Sequence, residues 1–144
     1  MRYLITGGAG FIASHLIDKL LKEDSEILVI DNFNTGKWKN IVNNDNLKVL
    51  TADINDEIGY KFKDIDVVFH LAALTRPQRS ILHPDDTTYV NVDGTLKVLM
   101  YAVQYKVKRV VFTSSSSLYG TQPVYPVKED ATPYPESPYG LTKL

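Results

Sequence analysis

The sequence predicts an α/β fold: a Rossmann-like, doubly wound parallel sheet of which about five strands are present. Three observations lead to this prediction. Short apolar segments alternate with helix-length segments along the chain. The apolar segments are nearly continuous in aliphatic residues, which is typical of strands buried on both faces of a parallel sheet. A glycine-rich turn joins the first apolar segment to the first helical one, as at the start of a βαβ unit.

The predicted elements follow in chain order. "RYLIT" is the first strand, and "FIASHLIDKLLKED" behind it places apolar residues at helical spacing, namely Phe11, Ile12, Leu16, Leu20 and Leu21. The further strands are "EILVID", "LKVLTAD", "DVVFHLA" and "RVVFTSS". Between the last two lies "TTYVNVDGTLKVLMYAVQYK", a helix whose apolar side consists of Val92, Leu96, Leu99, Met100 and Val103.

The last part of the chain is predicted to be an ordered loop followed by the start of a helix. "QPVYPVKEDATPYPESP" is rich in proline but also contains tyrosines and charges. Ser137 is a good helix N-cap and Pro138 a good first helical residue. Because few residues follow, we expect Tyr139 and Lys143 to lie on a short, fraying helix.

Composition indicates one ordinary soluble domain over residues 1–144 and excludes several classes of protein. The chain is 44% hydrophobic and 23% charged, with a formal net charge of -1. It lacks the basic stripe of a nucleic-acid-binding protein, and no apolar run is long enough for a membrane span or a signal peptide. It has no cysteine and only three scattered histidines, so we expect no metal site. A cytoplasmic location is the default.

The first turn has the pattern G-x-x-G-x-x-A, formed by Gly7, Gly10 and Ala13. Gly7 permits a tight turn, Gly10 permits close approach of a pyrophosphate, and a small residue at Ala13 permits tight packing of helix on strand. The helix N-terminus offers unpaired N–H groups to phosphates. The alternative is an ordinary glycine loop, but the strand before it and the helix after it favour a dinucleotide site.

Asp31, at the end of the second strand, predicts which dinucleotide binds. A carboxylate accepts hydrogen bonds from a ribose 2′-OH but repels a 2′-phosphate, and the next residue is Asn32, not arginine. NAD is therefore expected rather than NADP. Lys37 is read as a solvated loop residue, although its charge would partly offset the repulsion. Asp53 follows the third strand and is either near the adenine or a cap in an acidic loop.

These motifs together resemble the extended short-chain dehydrogenases/reductases, especially the NAD-dependent sugar-nucleotide epimerases and dehydratases. The motifs occur in family order: "TGGAGFIASHL", "DN" at 31 and 32, "ADI" at 52 to 54, "HLAAL", "NVDGT", "SSSSLYG" and "YGLTK". Ala13 departs from the glycine usual in the family. The resemblance implies further cofactor contacts from Phe11, Ile12, Ile54, Leu71, Ala72, Ala73, Leu74, Asn91, Tyr139 and Lys143. From the residues alone, "HLAAL" would be a core strand end and Asn91 a polar helix residue.

The resemblance also implies a catalytic set of Ser115, Tyr139 and Lys143. A free phenol has a pKa of about 10, so a tyrosine base at neutral pH needs a nearby cation. Lys143 lies four residues after Tyr139, on the same face of a helix. The family's serine or threonine stands four residues before the tyrosine of "LYG", which points to Ser115. An ordinary surface pair and a polar strand end are the competing interpretations.

The implied reaction is epimerisation at C4 of a nucleotide-linked sugar, expected to be a UDP-sugar. The family's 4,6-dehydratases have an Asp-Glu pair after the catalytic serine or threonine, whereas this chain has Ser116 and Ser117. A dehydratase is the weaker alternative. In "TRPQRSILHP", Arg76, Arg79 or Ser80 either border the substrate or belong to an exposed loop.

Family members are about twice as long, so the resemblance implies that C-terminal strands and a substrate-binding lobe are missing. We expect the fifth strand to be an exposed apolar edge. Two hypotheses follow. The chain is a 4-epimerase, or its N-terminal half, completed by a C-terminal segment or a partner. Alternatively, it is a non-catalytic, stand-alone NAD-binding module. The resemblance also implies a homodimer through the long helices.

Overall fold

A computed structural model describes all 144 residues, and the chain divides into two compact units. The first unit comprises Met1–Ala72 and Gly94–Phe112, and the second comprises Ala73–Asp93 and Thr113–Leu144. None of the helices is long and apolar enough to cross a membrane.

The first unit is built on a five-stranded, all-parallel sheet. Its strands are β1 (Arg2–Thr6), β2 (Glu26–Asp31), β3 (Leu47–Thr51), β4 (Val67–His70) and β5 (Arg109–Phe112). Their order in the sheet is β3-β2-β1-β4-β5. From β1 the chain first extends the sheet on one side, through β2 and β3, and then on the other side, through β4 and β5. This order confirms the predicted doubly wound, Rossmann-like fold.

The strand register brings the carboxyl ends of the strands to one edge. Thr6 pairs with Ile30 on one side and with His70 on the other. Asp31 pairs with Thr51, and His70 pairs with Phe112. In open α/β sheets ligands bind at this edge, so the register positions the residues predicted to bind the cofactor.

Side chains alternate along β1 and supply two hydrophobic clusters. Tyr3 and Ile5 belong to the cluster that receives helix α1 (Phe11–Leu21), which buries Ala13, Ile17 and Leu20. Leu4 belongs to the other cluster, with Phe62 and Val98 among its members. The helix was correctly predicted, but its first two apolar residues do not join the core: Phe11 is 75% exposed and Ile12 is also exposed.

Helix α4 (Gly94–Gln104) lies within the long segment predicted to be helical. The face that it packs against the core is not its most apolar face. Its buried residues are Gly94, Val98 and Ala102. The apolar side predicted from periodicity is real, yet it faces outward, and Val103 is 79% exposed. Small residues face inward because they let the helix approach closely: a Cβ at Gly94 would clash with Ile54.

Strand β5 is an edge strand, as expected, since it pairs only with β4. Val111 and Phe112 on it are exposed. The apolar fifth strand therefore offers an unpaired backbone edge.

The second unit contains short helices in place of the loop considered for residues 75–84. They are α2 (Pro77–Leu82) and α3 (Pro84–Thr88), followed by a π-helical turn, Tyr89–Asp93. A 3₁₀ turn (Ser116–Leu118) and helix α5 (Pro138–Leu141) complete the unit. Hydrogen bonds cross the proline-rich loop: Gln122 Nε2 donates to the carbonyls of Tyr119 and Thr132, and the Tyr119 hydroxyl donates to the Glu129 carbonyl.

Candidate active site

The glycine turn after β1 requires glycine at position 7. Gly7 has a φ of +71°, and a Cβ on it would lie 2.7 Å from the backbone nitrogen of Ala72. Its own N–H donates to the Ile30 carbonyl at 2.8 Å. Both the left-handed backbone and the close approach of Ala72 therefore exclude a side chain. The structure thus gives Gly7 the tight-turn role predicted for it.

The N-terminus of α1 fits a phosphate group. Gly10 is its N-cap, no side chain caps the helix, and no acidic residue lies in its first turn. A Cβ added at Gly10 would meet only the Gly7 carbonyl oxygen, at 3.1 Å, so the space beyond is open. Uncapped N–H groups and an open approach are what a pyrophosphate needs. Phe11 and Ile12 follow with exposed side chains.

Asp31 is buried and holds two backbone segments together. One carboxylate oxygen accepts the Ala9 N–H at 2.9 Å, and the other accepts the Phe33 N–H at 2.7 Å. An ionised carboxylate has about four acceptor positions, so two of them are left for ribose hydroxyls. Asp31 thus links the glycine turn to the loop that follows β2, a structural role that motif reasoning did not reveal.

The loop of residues 33–40 is fastened to the glycine turn at Ala9. The Ala9 carbonyl accepts the Lys37 N–H at 3.1 Å and the Asn40 side-chain amide at 2.8 Å. A Cβ at Gly36 would lie 2.7 Å from the Ala9 Cβ. Lys37, whose charge would partly offset the repulsion of a 2′-phosphate, has an exposed side chain. The loop is therefore positioned by the same residues that shape the turn.

Asn32, Asp53 and Ile54 lie near the ends of β2 and β3. The Asn32 amide donates to Asp53 at 2.7 Å, and the other Asp53 oxygen accepts the Asn55 N–H at 2.9 Å. Asp53 therefore also serves as a loop-stabilising residue, the competing interpretation. Ile54 is buried, and its side chain packs at Gly94. A cofactor contact from Asp53 or Ile54 stays a prediction.

The segment after β4 is half-buried from Leu71 to Leu74. In the second unit, the buried side chain of Asn91 binds both backbone groups of Leu74: Oδ1 accepts its N–H at 2.8 Å, and Nδ2 donates to its carbonyl at 3.0 Å. Nδ2 also donates to the Thr142 hydroxyl at 3.0 Å. Asn91 thus connects the residues after β4 with the Tyr-x-x-x-Lys segment.

Tyr139 and Lys143 are buried, not exposed on a fraying end. The prediction that both lie on one helix face was wrong, because α5 ends at Leu141 and Lys143 follows it in a turn. Their exposed fractions are 7% and 4%. Ser137 caps α5 as predicted by accepting the Gly140 N–H at 3.1 Å. The expectation of fraying was wrong because tertiary contacts hold the short helix: the hydroxyl of Ser80 accepts the Tyr139 N–H at 3.0 Å. Ser80 is therefore not in an exposed loop.

Lys143 is held at both its backbone and its side chain. Its ammonium group donates to the Thr113 carbonyl at 3.1 Å, and its own carbonyl accepts the Ser114 hydroxyl at 2.6 Å. Burial lowers the pKa of Lys143 to about 8 from 10.5. A lysine with a pKa near neutrality is typical of a functional position, and burial rules out the ordinary surface pair.

Ser115 has a structural role in addition to its predicted catalytic one. It is the N-cap of the Ser116–Leu118 turn, and its hydroxyl oxygen accepts the Ser117 N–H at 3.2 Å. That bond uses a lone pair of the oxygen and leaves the hydroxyl hydrogen for another acceptor. The capping bond fixes the position of the hydroxyl oxygen.

A comparison with protein families identifies the chain. Residues 3–144 match the NAD dependent epimerase/dehydratase family. The chain belongs to this family. NAD is therefore its cofactor, as predicted from Asp31 and the glycine turn.

Curated relatives in this epimerase/dehydratase family have similar sequences over nearly the whole chain. A UDP-glucose 4-epimerase of Mycolicibacterium smegmatis is 40% identical, with all of this chain and 48% of the relative covered. A putative UDP-glucose 4-epimerase of Methanocaldococcus jannaschii is 39% identical, and the match covers 97% of this chain and 47% of the relative. UDP-glucuronic acid decarboxylase 1 of Danio rerio is 36% identical, and the match covers 90% of this chain and 31% of the relative. The chain spans about half the length of the curated 4-epimerases it matches.

Solved structures of the epimerase/dehydratase family agree in fold. A UDP-N-acetylglucosamine 4-epimerase from Methanobrevibacter ruminantium, in complex with UDP-N-acetylmuramic acid, gives a TM-score of 0.94 at 37% identity, covering 99% of this chain and 46% of that one. A UDP-glucose 4-epimerase from Thermus thermophilus in complex with NAD gives a TM-score of 0.91 at 35% identity. The match covers 99% of this chain and 47% of the Thermus chain.

Proposed function

We propose that this epimerase/dehydratase chain is a UDP-sugar 4-epimerase or the N-terminal half of one. The observation that carries the proposal is the burial of Tyr139 and Lys143, four residues apart. The Tyr139 N–H donates to the Ser80 hydroxyl, and the Lys143 carbonyl accepts the Ser114 hydroxyl, so a distant serine fixes the backbone of each. In this proposal the buried phenol acts as the proton acceptor and the buried ammonium group supplies a nearby cation.

Each residue has a defined part in the proposed reaction. The Tyr139 phenolate takes the proton of the sugar C4 hydroxyl and returns it when the hydroxyl is re-formed. Ser115 shares a hydrogen bond with that hydroxyl, and Lys143 keeps positive charge beside the phenolate. NAD, which the Gly7 turn and Asp31 would hold, would supply a hydride acceptor for C4 and then a hydride donor for the opposite face of the sugar, so that no net oxidation occurs.

The sequence next to Ser115 favours epimerisation over dehydration. Elimination of water needs an additional acid and base, and Ser116 and Ser117 occupy the positions where the family's dehydratases have Asp and Glu. Because the chain is also similar to a UDP-glucuronic acid decarboxylase, an activity assay is needed to distinguish epimerisation from decarboxylation. The second candidate is an NAD-binding module without turnover, for which the Gly7 turn and the buried Asp31 would be sufficient.

The experiment uses the purified 144-residue chain. Binding of NAD and NADP is measured by calorimetry, and conversion of UDP-glucose and UDP-N-acetylglucosamine is followed with NAD present. We expect NAD to bind more tightly than NADP, and turnover to be lost in Tyr139→Phe but retained in Tyr134→Phe, which changes an exposed tyrosine. Tight NAD binding without turnover would favour the binding module instead.

The outward apolar face of α4 supports a homodimer, the partner implied by the family resemblance. Leu96, Leu99, Met100 and Val103 are all exposed on this one helix. An exposed apolar face of this kind marks an interaction surface. We propose that two copies pair through this face.

A further inference from the structure

His70 is a buried polar residue at the carboxyl end of β4. It is 1% exposed. Its Nδ1 lies 2.6 Å from the Thr6 hydroxyl at the end of β1, and its Nε2 lies 2.9 Å from the Thr95 hydroxyl in α4. Thus one imidazole bridges two strands and a helix of the first unit.

The hydrogen bonds of Thr6 assign the tautomer of His70. The Thr6 oxygen accepts the Ala72 N–H at 3.2 Å. Thr6 is fully buried, so its hydroxyl hydrogen needs an acceptor inside the protein, and the Nδ1 of His70, at 2.6 Å, is in position to be that acceptor. A neutral imidazole that accepts at Nδ1 has its proton on Nε2 and donates it to Thr95.

Ala72 links the His70 and Thr6 hydrogen bonds to the glycine turn. Gly7 follows Thr6 directly, and the space that a Cβ on Gly7 would need is filled by the backbone of Ala72. The orientation of the Thr6 hydroxyl determines whether its lone pair faces the Ala72 N–H. His70 sets that orientation by accepting the hydroxyl hydrogen.

We propose that His70 is a positioning residue for NAD binding, which as its Nε2–H tautomer orients the Thr6 hydroxyl and so holds Ala72 against the Gly7 turn. The inference rests on NAD as the cofactor and not on the proposed epimerisation. The competing explanation is that His70 only fills space in the core, where its ring lies 5.9 Å from that of Phe112.

Two substitutions separate hydrogen bonding from packing. His70→Phe keeps an aromatic ring but removes both hydrogen bonds, whereas His70→Gln keeps an acceptor and a donor but loses the ring. We expect the NAD dissociation constant, measured by calorimetry, to rise about tenfold or more in His70→Phe and to change less than about threefold in His70→Gln. The opposite ranking would overturn the proposal.

Two further measurements keep the test decisive if His70→Phe does not fold. Thr6→Val removes the hydroxyl and Thr6→Ser keeps it, and only Thr6→Val should weaken NAD binding. In the unsubstituted chain, nitrogen NMR of the imidazole should show a single neutral tautomer with the proton on Nε2. A proton on Nδ1, or equal affinities for the two Thr6 variants, would refute the assigned role.

Discussion

The hydroxyl oxygen of Ser80 accepts the backbone N–H of Tyr139 at 3.0 Å, although the two residues are 59 positions apart in sequence. The same hydroxyl donates to the Pro77 carbonyl at 2.5 Å, so both of its hydrogen-bonding functions are used. Pro138 has no N–H, and Ser137 caps Gly140. The first N–H groups of α5 are thus satisfied by two serines, one local and one distant.

Ser80→Ala should loosen Tyr139. The substitution leaves the Tyr139 N–H without its buried acceptor, which costs about 1–3 kcal/mol of unfolding free energy. Hydrogen exchange of the Tyr139 amide, followed by NMR, should become faster. Ser137→Ala is the matched control, since it removes the other cap of α5 and should affect the Gly140 amide first. Unchanged protection of Tyr139 in Ser80→Ala would contradict the assignment.

Lys143→Met should remove a pH dependence of stability. Between pH 8 and 10.5 the folded state has lost the Lys143 proton while the unfolded state still binds it, so stability should rise with pH in this range. The lowered pKa corresponds to roughly 3 kcal/mol of unfolding free energy. Below pH 8 both states bind the proton, and the cost of burying the charge is fully present.

Urea unfolding of both proteins at pH values below and above 8 measures this difference, since the other titrating groups are common to the two. The difference in unfolding free energy between Lys143→Met and the unsubstituted chain should shrink as pH rises. Parallel pH profiles would show that Lys143 keeps an ordinary pKa.

Asp31→Asn should weaken both the fold and NAD binding. The carboxylate accepts two backbone N–H groups, and an amide has only one oxygen to offer them. Hydrogen bonds to charged groups contribute about 1.5–3 kcal/mol each, so we expect a loss of stability of that order. Calorimetry should show at least about tenfold weaker NAD binding.

Asp53→Asn is the control for Asp31→Asn. Asp53 is only half-buried, and its partners are Asn32 and Asn55, outside the glycine turn. Its effect on NAD affinity should be several-fold smaller. Equal effects of the two substitutions would indicate that loss of a negative charge, rather than the contacts of Asp31, weakens binding.

Val103→Lys should weaken self-association. A lysine in the middle of an apolar interface is costly to desolvate, and we expect the dimer dissociation constant to rise about tenfold or more. Val124→Lys makes the same chemical change in the proline-rich loop, where Val124 is also exposed. Sedimentation equilibrium of both variants checks this, and a monomeric unsubstituted chain would refute the proposed dimer.

Local sequence patterns were sufficient for much of this structure. The strands, the Gly7 turn and the Ser137 cap each depend on a few neighbouring residues, and all were predicted correctly. The face of α4 that meets the sheet was not predictable, because periodicity gives an apolar side but does not show that small Gly94 and Ala102 pack inward. The Ser80 contact was missed for a related reason: no local pattern links residues so far apart.

The fastening of loop 33–40 to Ala9 has a consequence for tolerance to mutation. Most residues of this segment are exposed, and substitutions in exposed loops are usually neutral. Here a library of random replacements should be strongly depleted at Gly36 and Asn40, which meet Ala9, and nearly neutral at the neighbouring exposed Thr35 and Lys39. Fitness in this loop should therefore vary from one residue to the next, following contacts with the turn rather than exposure alone.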